Sequence, residues 1–98
     1  MMPPTPWQWQ FPPRQERVPR DDYERDRQNR QIHKGEVRAH IAFSSRDDDG
    51  LLPYAMELMD VIHTCETALR EFDPCQLDRI KALVIRKNDD RGYYDGRA

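Results

Sequence analysis

Apolar positions along the chain fall into one long helical pattern, one short alternating pattern and polar stretches between them. From Pro53 to Phe72 the residues Ala55, Leu58, Ile62, Cys65, Leu69 and Phe72 step by three, four, three, four, three. That spacing predicts a helix with a single apolar seam over almost three heptads. Met56 and Met59 widen the stripe. Pro53 suits a first helical turn, where its missing N–H has no helical partner. Asp47, Asp48 and Asp49 lie just upstream, where negative charge favours the positive end of the helix dipole.

A second helix is expected from Pro74 to Asn88. Asp73 is a good N-cap, Pro74 a good first residue, and Gln76 stands where a capping box needs an acceptor. Leu77, Ile80, Leu83, Val84 and Ile85 supply its apolar face. At about 100° per residue this face spans roughly 200°, more than one neighbouring helix covers. The same Leu77, Ile80, Leu83, Ile85 spacing also fits a leucine-rich nuclear export signal. Residues 53–72 carry Glu57, Asp60, Glu66 and Glu71 against Arg70, a balance of −3; residues 74–88 carry Arg79, Lys81, Arg86 and Lys87 against Asp78, a balance of +3. A tight connection at Asp73 with opposite charges predicts an antiparallel hairpin over 53–88. So short a hairpin hides too little apolar surface to stand alone. A homodimer is therefore expected, with Ala55, Leu58, Ile62, Cys65, Leu69, Phe72, Leu77, Ile80, Leu83, Val84 and Ile85 as its core and interface.

The alternating segment is "EVRAHIAF", residues 36–43. Val37, Ala39, Ile41 and Phe43 point one way in an extended chain, which predicts one short β-strand. The strand-then-two-helices order is similar to ribbon-helix-helix DNA-binding dimers. The linker after residue 43 is longer than that motif tolerates, and the outward face mixes Glu36 with Arg38, so the likeness stands only as an alternative. Before the strand, residues 1–35 read as a disordered arm. Six of the eight prolines lie in the first 19 residues, which rules out helix or central strand there. Trp7, Trp9 and Phe11 alternate with Gln8 and Gln10, placing three rings on one side of an extended segment that binds a partner or the chain's own helices. Residues 14–34 hold seven basic and five acidic residues. A mixed-charge linker is the plain reading. Residues 89–98 read as a disordered tail.

Composition narrows the functional classes. In a chain of 98 residues, 37% are hydrophobic and 35% charged, at a net charge of only −2. That apolar share supports one small, mainly α-helical module with disordered ends. Thirteen of the sixteen basic residues are arginine, a side chain suited to phosphate and aromatic partners. Nucleic-acid contact through Arg25, Arg27, Arg30, Lys34, Arg79, Arg86 and Lys87 is the alternative function, although acidic neighbours interrupt the first group. No nucleophile elbow, phosphate loop, dinucleotide fingerprint or metalloprotease helix is present. Cys65, Cys75 and His63 make an incomplete zinc set. No catalytic residue, cofactor, metal or small-molecule substrate is assigned.

With no secretory signal and no apolar run long enough to span a bilayer, the expected location is intracellular, in cytoplasm and nucleus, with reduced cysteines. The leading function is a non-enzymatic regulatory adaptor that binds itself and one or more other proteins; a small subunit of a larger assembly is a further alternative. Small Arg-rich chains with a helical core and polar tails are compositionally similar to viral accessory proteins, which implies binding to host factors.

Overall fold

The computed structural model describes residues 6–12, 18–46 and 50–94. These residues form three helices and no strand: α1 (Asp22–Ser44), α2 (Leu52–Leu69) and α3 (Pro74–Asp90). Gln10–Glu71 forms one unit, holding α1 and α2; the described residues up to Trp9 and from Phe72 onward form another, holding α3.

α1 overturns two expectations. Residues 22–35 are helix rather than disordered arm, and residues 36–43 continue that helix instead of forming a strand. The start is set locally. Asp21 is the N-cap, in extended backbone, and its Oδ1 accepts the Glu24 N–H at 2.9 Å. Glu24 reaches back so that its Oε2 accepts the Arg20 N–H at 2.8 Å. Two otherwise unsatisfied donors are thereby met. Once started, the helix satisfies the backbone of 36–43 internally, which a strand with no partner cannot do. Ile32, Gly35, Ala39 and Ala42 then share the inner face at three- and four-residue spacing, while Val37 and Ile41 point outward, 43% and 57% exposed.

α1 packs antiparallel on α2. Phe43 meets Tyr54 edge-on, with ring centroids 5.3 Å apart. Further along, the Gln28 amide donates to the Thr64 carbonyl at 3.3 Å, and the Arg25 guanidinium bonds Glu71. Gly35 sits where the helices come closest: a Cβ there would lie 2.8 Å from Val61 Cγ2. The buried residues of these helices are small or polar, namely Gln28, Gly35 and Ala39 on α1 and Thr64, Glu66 and Thr67 on α2. Thr64 and Thr67 satisfy their hydroxyls by donating to the Asp60 and His63 carbonyls one turn back. In the connection, Gly50 adopts φ +62°, a left-handed conformation that glycine takes without steric cost.

The expected seam on α2 is only partly covered within the chain. Ala55, Leu58 and Ile62 are exposed, Cys65 and Leu69 are half-buried, and Phe72 lies beyond the end of α2, 37% exposed. The reason is that α2 turns its small polar side, with Val61 between Thr64 and Glu57, toward α1. Most of its larger side chains, Tyr54 and Leu58 apart, face the opposite way.

α3 matches its sequence signals. Asp73 accepts the Gln76 N–H at 2.8 Å, Gln76 Oε1 accepts the Asp73 N–H at 2.9 Å, and Pro74 opens the helix. Leu77 is buried at 2% exposure, Ile80 and Ile85 are half-buried, and Leu83 and Val84 are exposed. The helix runs to Asp90, so the first two residues of the expected tail are helical; Asn88 then donates to the Tyr94 hydroxyl at 3.4 Å. Part of the tail, residues 95–98, lies outside the described residues, as do Asp47, Asp48 and Asp49.

Candidate functional site

Two features of α2 stand out, and both lie largely on the side away from α1, although Leu58 also borders a groove against α1. The first is the bare apolar face. Leu51, Leu52, Met56, Leu58, Met59 and Ile62 are 54%, 62%, 61%, 41%, 58% and 47% exposed. With Ala55 they fall within an arc of about 160° at 100° per residue. Methionine and leucine there offer an adaptable contact surface. α2 carries no lysine or arginine, and Asp60, which borders this face, is acidic.

The second feature continues that face toward the C-terminus. His63, Glu66 and Arg70 are spaced at i, i+3 and i+7 and so share one side of the helix. They hold the segment Gln10–Phe11–Pro12. Glu66 Oε2 accepts the Gln10 N–H at 2.8 Å, and its Oε1 accepts the Phe11 N–H at 3.0 Å. Arg70 Nη2 donates to the Phe11 carbonyl at 3.1 Å. The Phe11 ring stacks on the His63 imidazole, centroids 4.9 Å apart and planes 13° from parallel. His63 Nε2 lies 3.1 Å from the Pro12 carbonyl oxygen, so that nitrogen carries the hydrogen. Glu66 is 3% exposed, and both of its carboxylate oxygens are engaged.

The aromatic arm is thus divided. Phe11 packs on α2, whereas Trp7 and Trp9 belong with α3's unit, edge to face at 5.5 Å, where the Trp7 backbone N–H donates to Asp78 Oδ1 at 2.6 Å. The chain bends at Gln10 and Phe11.

Among the candidate nucleic-acid residues, Arg25 is committed within the protein: its Nε and Nη2 bond Glu71 and its Nη1 bonds Asp22. Its hydrogen bond to Glu71, then that to Asp22, holds its pKa further above the ordinary arginine range. Arg27, Arg30 and Lys34 are exposed and, with Arg38, form a stripe about 80° wide along the outer face of α1. Asp22, Asp26 and Glu36 lie off that stripe, although Arg30 still pairs with Asp26 at 2.8 Å. Arg79, Arg86 and Lys87 are exposed on α3.

Cys65 and Cys75 are free thiols, one half-buried and one exposed. Burial, then the nearby Glu36 charge, pushes the Cys65 thiol above its usual pKa. An open groove of about 350 Å³ lies between the C-terminal half of α1 and the start of α2, lined in part by Glu36, His40 and Tyr54. Among the described residues no helix is long and apolar enough to cross a membrane, and no three His, Cys, Asp or Glu side chains are grouped to hold a metal. No family model, no curated protein and no solved structure matches the chain.

Proposed function

We propose that the chain is a small non-enzymatic regulatory adaptor that works as a homodimer through the apolar face of α2. The observation that carries this reading is the run of exposed large side chains from Leu51 to Ile62. Continuous apolar faces of this kind mark interaction surfaces. The occupant that fits is α3 of a second copy. α3 is 17 residues long against 18 for α2, exposes Leu83 and Val84, and carries Arg79, Lys81, Arg86 and Lys87 to meet an acidic margin. Reciprocal exchange doubles the buried surface, which a single helix face needs to approach the roughly 800 Å² per partner of a stable complex. Sedimentation over a concentration series tests it. A dimer at micromolar concentration is expected, with Met59→Glu and Ile62→Glu monomeric at unchanged helicity. A wild-type chain that stays monomeric at every concentration reached would defeat the homodimer reading and leave the face to a different basic partner.

A second reading, nucleic-acid contact, is favoured by the stripe of Arg27, Arg30, Lys34 and Arg38 on α1. It predicts retention on RNA or duplex DNA that weakens steeply with salt. Absence of retention in low-salt buffer excludes it.

A further inference from the structure

The hold on Gln10–Phe11–Pro12 is made almost wholly to main-chain atoms. Glu66 takes two consecutive N–H groups, and Arg70 and His63 take the two carbonyls that follow. The one side chain read is the aromatic ring of Phe11, on His63. Pro12 keeps the residue before it extended, which holds that ring and those carbonyls at the required spacing. The Gln10 side chain is not used, and residue 10 is exposed.

We propose that His63, Glu66 and Arg70 form a receptor for an extended peptide of the pattern non-proline, aromatic, proline, and that the chain's own Gln10–Pro12 occupies it as a displaceable strap. The natural ligand class is a segment of another protein with that pattern. Two physical points set the specificity. A purely apolar helix laid over this end of α2 would bury the Glu66 carboxylate without donors, which is costly. A proline at the first position would remove one of the two N–H groups the carboxylate accepts. Release of the strap, by contrast, returns Glu66 to water, so the open form leaves no buried carboxylate without donors. This assignment stands apart from the dimer reading, since it concerns the last two turns of α2 and not the face from Leu51 to Ile62.

The test uses the full-length chain with Phe11→Ala, which loosens the strap, and the synthetic peptide Trp-Gln-Trp-Gln-Phe-Pro-Pro. The readout is the His63 ring-proton NMR shift, which the stacked aromatic moves upfield. A saturable upfield shift is expected. A peptide with proline in place of the second glutamine should bind about tenfold weaker or worse, because a hydrogen bond to a charged acceptor is lost. The wild-type chain should bind the peptide more weakly than Phe11→Ala, since its own strap competes at millimolar effective concentration. Adding Glu66→Ala should abolish the shift, with circular dichroism confirming the helices; Glu66→Gln, of equal size, should give an intermediate loss. No saturable shift at millimolar peptide in the Phe11→Ala chain, or equal binding of the proline-substituted peptide, overturns the proposal.

Discussion

Gly35 matters for the side chain it lacks. Glycine inside a helix costs about 1 kcal/mol relative to alanine, and close approach of α2 is its compensation here. Gly35→Leu would drive a side chain into Val61 and is expected to lower stability by about 1–3 kcal/mol, read from thermal or urea unfolding. The cysteines give a second residue-scale prediction. Thiolate is the reactive form, and the raised Cys65 pKa leaves less of it at neutral pH. Mass spectrometry after brief alkylation should find Cys75 labelled well ahead of Cys65, with the Cys65 rate still rising as pH is taken upward. Glu66 was invisible in the sequence. It stands among other acidic residues of a polar-looking helix margin, and its partners lie 55 and 56 positions away in the chain. No local pattern encodes such a contact.

At the scale of elements, legibility followed how local the signals are. α3 could be read to its first residue, because Asp73, Pro74 and Gln76 act on one another within a single turn. α2 could be read as a helix, but which side meets a neighbour could not. Its apolar stripe is real, yet α1 presents glycine, alanine and glutamine, which fit a small polar surface better. α1 was misread because Val37, Ala39, Ile41 and Phe43 alternate over eight residues while the helical spacing of Ile32, Gly35, Ala39 and Ala42 runs through the same stretch. The Asp21–Glu24 pair was the available clue. Asp21→Ala should cost about 0.5–2 kcal/mol by loss of that cap, and Asp73→Ala a similar amount at α3. Ala39→Pro should remove much more, about 3 kcal/mol or beyond, with a clear drop in circular-dichroism helicity; a strand at 36–43 would not show that drop.

For the whole molecule, the distribution of exposed surface points outward. The described residues bury few large apolar side chains, and most of those on α2, Leu52, Met56, Met59 and Ile62 among them, face solvent. If charge pairing between α2 and a second copy's α3 contributes, self-association should weaken as salt is raised, since exposed ion pairs are screened. A dimer that tightened with salt would instead indicate purely apolar contact.

The strap also has a kinetic meaning. α1 and α2 are neighbours in sequence, and such pairings close quickly. The bonds from Gln10, Phe11 and Pro12 to α2 span 51 to 59 residues. Closing so long a loop costs more entropy, so the strap should dock after the helices pair and detach before they part. Native-state hydrogen exchange should therefore find the Gln10 and Phe11 amides opening at lower free energy than those at the centre of α2, which would make this end of the chain the first to respond to any change of conditions.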